Sequence, residues 1–333
     1  MVPPRIAPCA QPEGWCRLKR PDSPGLVHQA LLYDTSDEFL AAVLPFVRDG
    51  VDNGDAILAI TSKTDTALLR ESLGPMADKV SFFEPASWYD APGRALAACY
   101  RHLEERLAGH DFVRIIGQPV RTSLDPLEAV EWCRFEAVIN VALATSPAWM
   151  MCGYDSRTVP AEIVAEARRT HPELTVGALH QPSDAFTDPA AYYVECNRDL
   201  PPPPENGVDW MRFDTDPAPV RRFVARHAAA MGLSPRRLDD LRLAVNEVTT
   251  NAIRHGGGSG EVRLWRSGRR IVCEIRDHGT ARDTFLGHVP GDPSAEGGHG
   301  LWIARQLCDL LEIRTDQPGT KVRMHMRTEE QSA

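Results

Sequence analysis

Lysine is almost missing from this chain: it stands only at Lys19, Lys63, Lys79 and Lys321. Acidic residues outnumber basic ones, 46 to 37, for a formal net charge of −9. The basic footprint of a nucleic-acid binder is therefore lacking, and no direct nucleic-acid contact is expected. No apolar run approaches the roughly 18 residues that mark a membrane span, so no membrane insertion is expected. The opening MVPPRIAPCAQPEGWC lacks an apolar core, which argues against a secretory signal. Cysteines are scattered at 9, 16, 99, 133, 152, 196, 273 and 308 without a CxxC pair. That excludes the usual zinc spacings and reads as buried thiols in a reducing, cytoplasmic setting. The loop after the first apolar strand reads DTSDEF, with no G-x-x-x-x-G-K-[ST], so the N-terminal half has no phosphate cradle of that kind.

At 333 residues the chain is long for one core, and two domains are expected. DLPPPPEN at 199–206 carries four consecutive prolines, the mark of a stiff extended spacer. The resulting division is a flexible lead over 1–25, a first domain over 26–198, a linker over 199–207, a second domain over 208–328 and a tail over 329–333. In the first domain, apolar strands at 28–34, 55–62, 80–84, 112–118, 148–155 and 174–180 alternate with helical patterns at 37–52, 64–73, 91–108, 125–145 and 160–171. This alternation predicts a mainly parallel sheet in a three-layer α/β domain. The second domain shows helical patterns at 217–231, 235–255 and 300–309, and strands at 261–267, 269–277, 310–316 and 320–327. It predicts a two-layer α/β sandwich on one mixed sheet.

Chemistry concentrates in the second domain. In LRLAVNEVTTNAIRH (241–255), Glu247 and Asn251 stand four residues apart and share a helix face. An acid and an amide so placed can position a Mg²⁺-bound nucleotide with a water or hydroxyl beside it. In RDHGT (276–280), Asp277 ends an apolar strand, where its carboxylate can accept a hydrogen bond from an adenine amine while Gly279 lets the backbone turn close to the base. In GGHGL (297–301), Gly297, Gly298 and Gly300 precede an apolar helix from Leu301, and N–H groups at a helix start bind phosphate oxygens. Residues 280–296 can serve as a lid. Each motif has a bland reading: an exposed helix glutamate, a turn aspartate, helix-start glycines. Their order within about 55 residues favours the nucleotide reading.

On these residues, together with PGTKVR at 318–323, the second domain resembles the GHKL ATPases of gyrase, histidine kinases and MutL, and within them the anti-sigma-factor serine/threonine kinase branch. The resemblance implies the Bergerat ATP-binding fold, with ATP and Mg²⁺ as cofactors. It makes Glu247 the general base and Asn251 the Mg²⁺ ligand. It places Asp277 and Gly279 on the adenine, Gly297, Gly298, Gly300 and Leu301 at the phosphates, and Thr320 beside the adenine pocket. Position 281 departs from the family's Asp-x-Gly-x-Gly, being Ala. No histidine stands in a phosphoacceptor setting. His227, followed by alanines, reads as a packing or surface residue, which disfavours a soluble sensor histidine kinase.

Residues 26–190 resemble the MEDS sensory domain, related in fold to RecA/KaiC-type ATPases. The carrying stretches are HQALLYDTSDEFLAAVLPFVRDGVDNGDAILAITS (28–62), FEAVINVAL (135–143), MCGYDSRTVP (151–160) and His171–Pro172. The parallel-strand ends would place Tyr33, Asp34, Gln118 and Asp155 near a pocket. His28, Cys152 and His171 read as buried structural residues. Together the resemblances imply a sensor-controlled kinase in sigma-factor partner switching. Its partners would be a sigma factor and an anti-sigma antagonist, with an unidentified small-molecule or protein signal at the N-terminal domain and a homodimer among the assemblies such domains form. The alternative is an ATP-binding partner switch without kinase activity.

Overall fold

The computed structural model describes residues 25–119, 126–176, 179–197, 199–280, 283–291, 298–316 and 319–328. The lead over 1–24, the tail over 329–333, Ala281 and Gly297 lie outside them. The chain forms two compact units. One holds the chain up to Glu84, Arg106–Pro119 and Thr145–Phe186; the other holds Pro85–Glu105, Val120–Ala144 and everything from Thr187 onward.

The first unit is built on seven strands: β1 (Leu26–Tyr33), β2 (Ala56–Ile60), β3 (Val80–Phe83), β4 (Val113–Gly117), β5 (Ala148–Asp155), β6 (Glu173–Val176) and β7 (Leu179–Pro182). Their order is β3-β2-β4-β5-β1-β6-β7, and every neighbouring pair is parallel except β6–β7. The strand predicted over 174–180 is thus two, because the chain turns back after Val176 and pairs with itself. β2 and β4 are buried along their whole length, as their Ile- and Val-rich runs require of central parallel strands.

Helix α1 (Ser36–Asn53) follows β1. Thr35 caps it by accepting from the Glu38 N–H at 3.2 Å, and Gly54, at φ 74°, ends it in the left-handed conformation. Its stripe of Phe39, Val43, Phe46 and Val47 packs against Leu31, Ile57, Ile116, Trp149 and Met151. Helices α2 (Lys63–Leu73) and α6 (Ala161–Thr170) also belong to this unit. Arg114 of β4 is fully buried and held by Asp55 at 2.7 Å, by Asp49 and by the Phe46 carbonyl at 2.9 Å.

The second unit contains a five-stranded sheet of β8 (Val208–Phe213), β9 (Gly260–Ser267), β10 (Arg270–Asp277), β11 (Leu310–Asp316) and β12 (Gly319–Arg327), in the order β11-β12-β10-β9-β8. It is antiparallel throughout, not mixed, because each strand reaches its neighbour without a parallel crossover. β8 is an edge strand that the sequence reading missed. Helices α8 (Ala218–Ala230), α9 (Pro235–His255) and α10 (Gly300–Leu307) supply Val220, Val224, Leu241, Val245, Val248, Leu301 and Ala304 to a core with Val262, Leu264, Ile271, Ile275, Val322 and Met324.

The alternate side chains of this sheet are charged. Glu274 pairs with Arg276 and Arg323, and Glu312 with His325. Four further helices share the unit: α3 (Pro85–Trp88), α4 (Pro92–Leu107, except its last two residues), α5 (Pro126–Ala142) and α7 (Pro189–Glu195). Glu128 of α5 pairs with Arg270 and Arg327. Arg94 of α4 reaches Asp309 at 2.8 Å and donates to the Gln306 and Cys308 carbonyls at the end of α10. None of the six described cysteines is disulfide-bonded, and five are buried. Burial lifts the Cys99 and Cys308 thiols to about 12, so they stay protonated.

Candidate nucleotide site

The site begins with the spacing in α9. Val248, Asn251 and His255 line one side of a pocket of about 380 Å³. Asp277, Gly279, Thr280 and Thr320 line it from the ends of β10 and β12, Gly298 and Leu301 from the start of α10, and Leu286 and Ile313 add an apolar wall. A volume of this size falls in the range of small-molecule sites.

Glu247 and Asn251 converge on the first turn of α10. A β-carbon added to Gly300 would stand 2.8 Å from Glu247 Oε2 and 3.5 Å from the Asn251 side-chain nitrogen. The acid, the amide and a helix start therefore meet at one point, where a β-carbon would push the end of the Glu247 side chain aside. The exposed N–H groups of a helix start attract anions, so the same point suits the Glu247 carboxylate and a terminal phosphate beside it. Glu247 is itself supported: the Asn246 side-chain amide donates to its Oε1 at 3.2 Å, and Arg221 of α8 donates to Asn246 Oδ1.

Asp277 is clasped from three sides. Its Oδ1 accepts from the Gly279 N–H at 2.7 Å, and the Thr320 hydroxyl donates to the Gly279 carbonyl at 2.9 Å. A β-carbon on Gly256 would come within 2.5 Å of the Asp277 carboxyl carbon, and one on Gly319 would overlap the Asp277 carbonyl. Burial pushes the Asp277 carboxyl above the usual range, against the opposing pull of the Gly279 N–H, His278 and the Thr320 backbone. A half-buried carboxylate with one oxygen held by backbone keeps the other for a ligand's N–H.

Of the described residues chosen from the sequence, Asn251, Asp277, Gly279, Gly298, Leu301 and Thr320 line this pocket, while Glu247 and Gly300 meet beside Asn251. Gly297 lies outside the described residues. The sequence reading missed Gly256, Leu286 and Ile313. His255 lines the pocket, whereas Arg254 is exposed. His227 pairs with Asp209 at 2.8 Å and stacks on Phe223, a packing role on α8.

In the first unit, Tyr33 and Gln118 meet at the carboxyl ends of β1 and β4. The Gln118 amide donates to the Tyr33 hydroxyl and to Asp65, each at 2.9 Å. Asp155 is held by both arms of Arg157, and Asp34 is exposed. His28, Cys152 and His171 are buried and gathered together. The two histidine rings lie 4.0 Å apart, and Cys152 Sγ stands 3.6 Å from His28 Nε2. The chain also has no helix, among the described residues, long and apolar enough to cross a membrane.

Residues 27–172 match the model of the MEDS domain, the methanogen/methylotroph DcmR sensory domain, and residues 214–326 match that of the histidine kinase-like ATPase domain. The chain is therefore a MEDS domain followed by a histidine kinase-like ATPase domain. Its relatives sharpen the branch. The serine-protein kinase RsbW of Bacillus licheniformis is 29% identical over 111 residues, covering 29% of this chain and 69% of the relative. RsbW of Bacillus subtilis strain 168 is 26% identical over 129 residues, covering 33% of this chain and 81% of the relative. A crystal structure of the RsbU and RsbW domains of a Mycobacterium tuberculosis protein aligns at 18% identity with a TM-score of 0.28, over 37% of this chain and 32% of that one. The chain thus spans about a third of that solved protein.

Proposed function

We propose that this chain is an ATP- and Mg²⁺-dependent serine/threonine protein kinase of the anti-sigma type, governed by its MEDS domain. The observation that carries the reading is the meeting of Glu247, Asn251 and the start of α10 at one end of a pocket whose other end is Asp277. The residues fit the cofactor. Gly300 and Gly256 leave space that any β-carbon would fill, and the donor set is one carboxamide, as befits an ion that keeps most of its waters. Asp277 accepts the exocyclic amine of adenine, in the orientation fixed by Gly279 and buttressed by Thr320. The Asn251 carboxamide would hold Mg²⁺, which when bound would offset the charge of the triphosphate. The backbone of Gly298, Gly300 and Leu301 receives phosphate oxygens, with Gly297 assigned the same role by its place in the motif. Glu247 would take the proton from a serine hydroxyl as that oxygen bonds to the γ-phosphorus and the bond from that phosphorus to the β,γ-bridging oxygen breaks, leaving ADP.

The acceptor class, a serine on an anti-sigma antagonist, and the second partner, a sigma factor, rest on the RsbW likeness; the cytoplasmic setting rests on the unbridged cysteines. The test is transfer of radiolabelled phosphate to antagonist proteins captured from the native cytosol. Wild type labels a serine, and Glu247→Ala lowers the rate by roughly 10²–10⁴-fold while still binding ATP. Unchanged partner exchange in Glu247→Ala would instead favour an ATP-driven switch without phosphorylation.

The buried trio of the MEDS domain supports a metal as its input. Around a tetrahedral ion, nitrogen at about 2.05 Å and sulfur at about 2.3 Å lie about 3.6 Å apart, and this is the separation of His28 Nε2 and Cys152 Sγ, 3.6 Å. His171 Nδ1 donates to the Ala167 carbonyl at 2.8 Å, which fixes the orientation of the ring. Titration with Co²⁺ tests this reading. A thiolate-to-cobalt absorption band that Cys152→Ser removes supports it, and no band in wild type refutes it.

A further inference from the structure

The segment Asp283–Gly291 passes between Thr280 and Gly298, and its Leu286 forms part of the pocket wall. Three contacts fix it. The Phe285 N–H is held by Asp283 Oδ1 at 2.9 Å, which shapes the first turn. Arg305 of α10 donates to the Leu286 carbonyl at 3.4 Å while its other nitrogen holds the Leu311 carbonyl at 2.9 Å. Gly287, at φ 73°, lies so close to the start of α10 that a β-carbon would stand 2.8 Å from that of Leu301. The segment therefore rides on the same turn that carries Gly300.

Its outer side is gripped by a different part of the chain. His288 and Tyr193 of α7 are both buried, and the tyrosine hydroxyl lies 3.0 Å from His288 Nε2. The two rings meet edge to face at 5.4 Å, and Phe285 meets Tyr193 in the same manner at 5.5 Å. Burial, with Arg305 and Arg134 nearby, keeps His288 well below the ordinary histidine range, so it is neutral and can accept from the hydroxyl. Helix α7 is itself pinned. Arg134 of α5 lies over the Tyr193 ring at 5.2 Å and donates to the Cys196 carbonyl and to Asn197 at 3.3 Å. A cavity of about 150 Å³, lined by Tyr193, Asn197, Asp283 and Leu286, leaves the segment room to shift. Helix α7 belongs to neither matched stretch, since one ends at residue 172 and the other begins at 214.

We infer that Tyr193 and His288 form a latch that holds Asp283–Gly291 against the nucleotide pocket. Tyr193 is thus a positioning residue for nucleotide retention, and α7 is the element through which the rest of the chain controls release. This deepens the nucleotide reading and rests on it. The latch acts through Leu286. When Tyr193 lets go, the wall between Ile313 and Leu301 opens and the bound nucleotide leaves faster.

Two measurements on the full chain test it. The first is hydrogen exchange of the amides at 285–291 without nucleotide. Tyr193→Phe, which keeps the ring and removes only the hydroxyl, should speed their exchange several-fold, and Tyr193→Ala by tenfold or more. The second is stopped-flow release of a fluorescent ATP analogue in Mg²⁺. The off-rate should rise in the same order, with thermal melting of Tyr193→Phe unchanged. Ala191→Ser, at an exposed position of the same helix, should change neither. Unchanged exchange in Tyr193→Ala overturns the latch, and faster exchange with an unchanged off-rate overturns its role at the pocket. Wild type that takes up no analogue refutes the nucleotide reading itself, while exchange still decides the latch.

Discussion

Gly300 shows how much of this site rests on a missing side chain. The space a methyl group would take is the space Glu247 and Asn251 use. Gly300→Ala should therefore displace the Glu247 carboxylate by a fraction of an ångström without disturbing the core. Misplacement of about 1 Å can cost catalysis roughly a hundredfold, so initial rates of phosphoryl transfer should fall by up to that factor while the melting temperature stays near wild type. A variant that melts far below wild type, with its residual rate intact per folded molecule, would contradict this. The placement of Glu247, Asn251 and Asp277 was legible in the sequence because it follows local rules: a four-residue helical spacing and a strand ending at a glycine turn. Gly256, Leu286 and Ile313 were not, since each reaches the pocket only through tertiary packing.

Among the elements, α10 depends most on charged partners at its far end. Asp309 accepts from Arg94 at 2.8 Å, from Arg237 at 2.7 Å and from the Arg327 N–H at 2.6 Å. Burial alone would raise its carboxyl; the Arg327 N–H and the Arg94 and Arg237 guanidiniums outweigh that and hold it below the usual range. A depressed folded value contributes stability above the unfolded value, near ~3.9, and loses it as pH falls through the folded value. Asp309→Asn should thus cost about 3 kcal/mol at pH 7, and the gap from wild type should narrow below about pH 4. Urea midpoints at the two pH values measure it, and a gap that widens in acid would contradict the assignment. In the parallel sheet, Arg114→Ala strands the buried Asp55 and should lower the unfolding free energy by about 3–5 kcal/mol in the same assay. Most strands and helices were legible from periodicity. β8 was missed because VDWMRF is short, follows the proline spacer and keeps Trp210 58% exposed. The antiparallel order was hidden because alternation fixes a strand's faces but not its neighbours.

The whole molecule joins a sensory domain to an ATPase domain, and that much was readable from motifs spread along the chain. Its compact units were not. Helices α3, α5, α7 and most of α4 gather with the antiparallel sheet through Arg94, Glu128 and Tyr193, contacts between residues that are distant in sequence. Helices α4 and α5 lie within the matched MEDS stretch yet share a compact unit with the antiparallel sheet, joined to it through Arg94 and Glu128. Calorimetric titration of the full chain with ATP in Mg²⁺ tests the central claim most directly. One saturable site per chain is expected, lost in Asp277→Asn and weakened at least tenfold when Mg²⁺ is withheld or Asn251 is replaced by Ala. Absence of heat in wild type, or an affinity indifferent to Asp277→Asn, would contradict it.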